Sequence, residues 1–226
     1  MKICWIGQSG YVLTSGSTKI VIDPYLSDSV YRASGKKRLV EPPVLPEELH
    51  ADAVVCTHNH LDHLDPDTIS RMDHKQRIYT TKEGVEKLRE MGYDQAIALK
   101  AGDTVEEGAF RLTAVPAFHT VEAFGLIIQA EGITLYFSGD TLYDERLKEI
   151  GSFHPDVSFL CINGKLGNMN VSEAVEVALA IGARRSVPNH YGMFASNTED
   201  PEKFTAHVPD SFIMELGQAY DVEDLL

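Results

Sequence analysis

Short apolar runs of strand length, separated by Gly/Ser turns, open the chain. Residues 2–6, 11–14 and 18–23 place β-branched and apolar side chains between the turns Gln8-Ser9-Gly10 and Ser15-Gly16-Ser17, a pattern that predicts a meander. Residues 53–57 are continuously apolar, as in a strand covered on both faces, and run directly into a histidine-rich segment. Asp65-Pro66 reads as a helix N-cap followed by proline at the first helical position, and residues 82–91 as a short helix capped by Thr80 or Thr81. β character returns at 104–106, 110–115, 124–130 and 134–138. A helix follows at 143–150 and a buried strand at 157–162. Over 172–182, Val175, Ala178, Leu179 and Gly182 share one helical face. Strands at 185–188 and 212–215 flank a helix begun by Pro201 and running to His207. Meanders followed by helices, twice over, predict two packed sheets with helices on their outer faces. The 10 prolines and 17 glycines are scattered and no repeat is present, so one domain over residues 1–226 is expected.

Composition narrows the partners. The formal charge of −14 disfavours phosphate backbones and anionic membrane surfaces, so neither nucleic acid nor membrane is expected as a partner. No signal-like segment opens the sequence and no apolar run approaches the ~20 residues of a membrane span. Cys4, Cys56 and Cys161 sit in separate apolar runs, as free thiols do in a reducing cytoplasm. Nine histidines stand out, since imidazole both titrates near neutrality and binds transition metals.

The segment Thr57-His58-Asn59-His60-Leu61-Asp62-His63 delivers four donors at the carboxyl end of a strand. Chance would give these residue types at these places about once per thousand chains of this size. A catalytic zinc takes three protein ligands plus water, so four donors here exceed a single site and suit two metals. His119, Asp140 and His190 each follow a β run, which is how a layered fold gathers distant residues at one edge. His50, His74, His154 and His207 lie in polar or Pro-flanked contexts and read as surface or otherwise satisfied histidines.

These residues together resemble the metallo-β-lactamase superfamily, whose His-x-His-x-Asp-His motif stands here as His58, His60, Asp62 and His63. Asp23 matches the early structural aspartate, His119 the third-motif histidine, Asp140 the bridging aspartate and His190 the last histidine. The resemblance implies an αββα sandwich with a dinuclear site. His58, His60 and His119 would bind one metal and Asp62, His63 and His190 the other, with Asp140 bridging. The strings Trp5-Ile6-Gly7-Gln8-Ser9-Gly10, Ile22-Asp23-Pro24-Tyr25, Asn163-Gly164 with Gly167-Asn168-Met169-Asn170, and Pro188-Asn189-His190-Tyr191 are most similar to the L-ascorbate-6-phosphate lactonase-like group.

Such a site would hold a water between two divalent ions, zinc or manganese with iron open, and lower its pKa enough to supply hydroxide to a carbonyl or phosphoryl centre. Asp62, His60 and Asp140 are the candidate catalytic residues, with Asp62 positioning the hydroxide. Asn163, Lys165 and Tyr191 are candidate substrate contacts. Arg32, Lys36, Lys37 and Arg38 offer cations for an anionic metabolite such as a sugar-acid phosphate lactone. A mononuclear-iron oxygenase or a phosphodiesterase on the same fold is the alternative. A diiron redox relative would be expected to carry Glu in place of His60, and a binding scaffold to lack ligands. A homo-oligomer is left open.

Overall fold

The computed structural model describes residues 1–73 and 75–226. Among these, one mixed sheet contains β1 (Lys2–Gly7), β2 (Gly10–Ser15), β3 (Thr18–Ile22), β4 (Ala53–Val55), β5 (Arg77–Thr80) and β6 (Ile97–Ala98). The second contains β7 (Thr104–Glu107), β8 (Phe110–Pro116), β9 (Phe124–Ala130), β10 (Ile133–Phe137), β11 (Val157–Cys161) and β12 (Arg185–Asn189). In both, an antiparallel meander leads into parallel strands: β1 to β3 and then β4, β5 and β6, and β7 to β10 and then β11 and β12. Helices α1 (Ser29–Ser34), α2 (Pro66–Arg71), α3 (Lys82–Glu90), α4 (Val171–Ile181), α5 (Glu202–Thr205) and α6 (Val222–Leu225) complete a metallo-β-lactamase fold of two sheets flanked by helices. No helix among the described residues is long and apolar enough to cross a membrane.

The sheets pack through a core in which Tyr11 meets Phe137 and Phe159 at 5.1 and 5.0 Å between ring centres, and the two phenylalanines stack at 4.3 Å. The Tyr11 hydroxyl donates to Asn189 Oδ1, which lets a buried phenol reach across the layers without losing its hydrogen bond. On the outer face of the first sheet, Val21, Val54, Cys56 and Ile78 pack against Leu64, Ile69 and Leu88 around α2 and α3. Ala53 and Val55 belong to the inter-sheet cluster. Burial on both faces explains why residues 53–57 are uniformly apolar.

Strand polarity fixes where functional residues emerge. β3 and β4 are parallel, so Asp23 and the His58–His63 segment leave the first sheet at one edge. β10, β11 and β12 are parallel, and β8 is antiparallel to β9 as β9 is to β10, so His119, Asp140 and His190 leave the second sheet together. The two edges are joined where Phe124 N donates to Thr57 O and His58 bridges Ala123.

Several expected elements differ. Residues 212–215 form no strand; Phe212 N donates to Ser186 O, but the last strand is β13 (Ala219–Asp221), which covers the free edge of β1. The expected helix at 143–150 is a 3-10 segment over Glu145–Phe153, begun by the Asp144 side chain accepting from Arg146 N. In α4 the buried face is Ala174, Val177, Ala178 and Ile181. Leu179 is 58% exposed, and Gly182 is the left-handed terminating residue, outside any helical face. The ladder of β4 ends at Val55, two residues before the expected end: Cys56 N still donates to Tyr79 O of β5, but Thr57 N turns to the Asp23 side chain. β5 and α1 were not anticipated. His50, His154 and His207 are exposed as expected, whereas His74 lies outside the described residues.

Candidate metal centre

Three imidazoles converge on one point. His58 Nε2 lies 3.0 Å from His60 Nδ1, and His119 Nε2 lies 3.2 Å from that same nitrogen. The other side of His119 fixes its orientation, since Nδ1 sits 3.0 Å from the Gly167 carbonyl, which only accepts; Nδ1 therefore carries the hydrogen and Nε2 turns its lone pair inward. Gly167 adopts φ +94°, and a Cβ there would stand 2.9 Å from His119 Nδ1, so only glycine permits this approach.

A second group lies alongside. His63 Nδ1 donates to Asp23 Oδ2 at 2.8 Å, and the same aspartate accepts from Thr57 N at 2.7 Å and the Thr57 hydroxyl at 2.8 Å. Asp23 thereby fixes the His63 ring and leaves Nε2 facing Asp62 Oδ2 at 4.0 Å and Asp140 Oδ1 at 3.3 Å. His190 Nε2 lies 3.7 Å from Asp62 Oδ2 and 3.3 Å from Asp140 Oδ2. Asp140 Oδ2 is also 3.9 Å from His119 Nε2, so one carboxylate faces both groups. The glycine before it has φ +58°, and a Cβ there would stand 3.0 Å from Phe124 O, which makes Gly139 a requirement of the turn that presents Asp140.

Burial and charge act in opposition. Desolvation, helped by the neighbouring imidazoles, holds His58 well below the usual histidine range and lowers His60. Burial opposes charge on His63 and His190 too, but Asp140, with Asp23 beside His63 and Asp62 beside His190, outweighs it and raises both. Asp140 is correspondingly held well below the ordinary carboxylate range, the neighbouring His190 and His63 imidazoles overcoming its desolvation.

Among the described residues, His/Asp donor atoms form three groups, each within 4.8 Å: His58, His60 and His119; His58, His63 and Asp140; Asp62, His63 and His190. His63 Nε2 and Asp140 Oδ1 are buried without a hydrogen-bond partner. Convergent buried lone pairs of imidazole and carboxylate, oriented from behind by Asp23 and Gly167, fit divalent cations. Backbone conformation is special at the same place: Gln8, Asp23 and His190 have φ of +52°, +41° and +61°.

The substrate-contact expectations are redistributed. Tyr191 is buried in the core against Trp5, ring centres 5.1 Å apart, and is not on the wall of the cavity above the histidines. Asn163 is buried behind that wall, and Lys165 is exposed with Nζ 3.4 Å from Ser196 O. The basic segment is engaged elsewhere. Arg32 pairs with Asp67, Lys37 lies over the Tyr31 ring, and Arg38 covers the Tyr25 ring while donating to Tyr25 O. None of the four cations lines the cavity, although Ala33 and Ser34 between them do. Gln8 is a site residue that the sequence offers only within the Trp5–Gly10 string: its Nε2 donates to Asp62 Oδ2 at 2.7 Å and lies 3.1 Å from His190 Nε2. The signal was a polar amide inside a glycine turn ending an apolar strand.

Comparison with known proteins agrees with this geometry. Residues 18–191 match the family described as a beta-lactamase superfamily domain. A UPF0173 metal-dependent hydrolase of Methanosarcina barkeri is 31% identical over 98% of this chain and 99% of its own, and one of Thermoplasma acidophilum is 32% identical over 91% and 90%. Among solved structures, a metallo hydrolase of Ignicoccus hospitalis superposes with a TM-score of 0.78 at 24% identity, covering 97% of this chain and 98% of that one. The chain belongs to the beta-lactamase superfamily domain family and, within it, to the UPF0173 metal-dependent hydrolases.

Proposed function

We propose that this protein is a metal-dependent hydrolase with a dinuclear centre, acting on an ester-like bond, a lactone included, in a small molecule. The observation that carries the reading is the convergence of six donors in two groups facing a shared carboxylate, Asp140. His58, His60 and His119 would hold one divalent ion and Asp62, His63 and His190 the other, with Asp140 between them. When bound, zinc or manganese ions would supply hydroxide near neutral pH by acidifying water and would polarise the substrate's oxygen. The chain's own residues do the rest. Asp62 borders the cavity with its Oδ2 held by the Gln8 amide, and would position the reacting water. His60 and Asp140 also reach the cavity wall and orient the reacting end of the substrate. Asp23 and Gly167, behind the site, keep the His63 and His119 lone pairs aimed inward. Cys56 and Cys161 are fully buried with thiols raised by desolvation, so neither serves as a nucleophile.

Metal analysis of protein purified without added metal, paired with assays on lactones, esters and phosphodiesters with and without oxygen, tests the reading. About two Zn or Mn per chain and oxygen-independent hydrolysis are expected. One iron with oxygen uptake overturns it in favour of an oxygenase. His60→Ala should abolish turnover and lower metal content while circular dichroism stays unchanged; full activity in that variant removes the proposed site.

A further inference from the structure

Above the histidines lies a cavity of about 520 Å³, within the ~300–1,000 Å³ usual for small-molecule sites. Its floor is His60, Asp62 and Asp140, and its walls come from Val30 and Ala33 of α1, Leu61, Leu166, Thr120 and Asn197. Leu166 is 62% exposed at φ +56°, an apolar side chain held at the rim by a strained turn. Among the described residues no lysine or arginine lines this cavity, so a charged group remote from the floor would meet no countercharge.

Besides the hydroxyls of Ser34 and Thr120, the wall carries the amide of Asn197, whose orientation is set by a chain of amides. Asn163 Nδ2 donates to the Lys165 carbonyl at 3.3 Å; since a carbonyl only accepts, this fixes which end of Asn163 is nitrogen. The same Nδ2 donates to Asn197 Oδ1 at 2.8 Å, and Asn163 Oδ1 accepts from Asn168 Nδ2 at 2.9 Å. Asn163 and Asn168 are buried, and Asn168 Oδ1 has no hydrogen-bond partner, so the relay exists at a cost. With Oδ1 engaged, Asn197 is left with its Nδ2 hydrogens as the free polar end at the cavity wall.

We infer that the cavity takes a neutral substrate with an apolar body, and that Asn197, held by Asn163 and Asn168, donates an N–H to an uncharged oxygen of that substrate. The body packs on Val30, Ala33, Leu61 and Leu166. This assignment rests on the hydrolytic reading for the reacting end only, and it replaces the anionic metabolite expected from Arg32, Lys36, Lys37, Arg38 and Lys165.

Two p-nitrophenyl esters matched in length, one ending in a methyl group and one in a phosphonate, test it on the metal-containing protein. The methyl-ended ester should be preferred by about tenfold or more in kcat/KM; preference for the phosphonate overturns the inference. Asn197→Asp and Asn197→Ala should each raise KM for the methyl-ended ester about tenfold with kcat and metal content little changed. An unmoved KM in both variants removes Asn197. Binding is read without turnover by saturation-transfer NMR with hexanamide and 6-phosphonohexanamide. Transfer to hexanamide alone, lost in Asn197→Asp or, if that variant does not fold, in Asn197→Ala, supports the inference. Transfer to the phosphonate alone overturns it. If neither ester is hydrolysed while hexanamide still binds selectively, the hydrolytic reading fails and the cavity assignment stands.

Discussion

Asp23 satisfies three donors with one carboxylate, and all three, Thr57 N, the Thr57 hydroxyl and His63 Nδ1, belong to the segment that carries the motif. Asp23→Ala would leave a backbone N–H, a hydroxyl and an imidazole N–H buried without acceptors. The expected loss in urea denaturation is about 3 kcal/mol, together with a drop in metal affinity of about 10–100-fold as the His63 ring loses its orientation. Wild-type metal affinity in that variant would show that Asp23 supports the fold alone. At this scale the seven donors were legible because His and Asp at fixed spacing are improbable by chance and each ends a β run. Gln8 and Asn197 were not, since an amide carries no comparable signal and acquires its role only from the neighbours that fix its orientation. Tyr191 misled for the converse reason: adjacency to His190 says nothing about direction, and residue 190, in the left-handed region, turns the chain so that the next ring packs on Trp5.

Elements were legible where both faces of a strand are buried or where a cap is written in the sequence, as with Asp65-Pro66 before α2 and Thr81, whose side chain accepts from Gly84 N at the start of α3. The helix α4 shows the limit of periodicity. Its sequence satisfies the i, i+3, i+4, i+7 spacing twice, one position apart, and only packing against the sheet selects Ala174, Val177, Ala178 and Ile181. Ile181→Ala should therefore cost about 2–5 kcal/mol, whereas Leu179→Ala should stay within about 0.5 kcal/mol, both read from urea midpoints. Equal costs would restore the other face. β5 and β13 were missed because each sets only two apolar side chains in succession, Ile78-Tyr79 and Ala219-Tyr220, too few to mark a strand. β13 is specified by the open edge of β1, a partner two hundred residues away in sequence.

For the molecule as a whole, the donors divide between the sheets: His58 to His63 come from the first and His119, Asp140 and His190 from the second. An ion held by both would bind the folded form and not the separated layers. Removing metal with a chelator should then lower the urea midpoint and the thermal midpoint together. Free metal at 100 times its Kd is expected to add about 2.7 kcal/mol of stability. A chelated protein as stable as the loaded one would place the ions outside the sheet-spanning site. The repeated arrangement of meander and parallel strands was legible because turns and apolar runs recur in the same order in both halves; the way the two edges meet at Thr57 and Phe124 was not, being a contact between strands with unrelated patterns.

The division between sheets also sets an order in time. A chain emerging from the ribosome has made His58, His60 and His119 well before Asp140, and His190 comes 71 residues after His119. The first donor group is therefore complete on a nascent chain that still lacks β9, β10, β11 and β12, while the second waits for His190, beyond β12. With two ions bound as proposed, metal acquisition during synthesis would be stepwise, and a chain stalled between those points carries one group of imidazoles without the carboxylate that faces both groups.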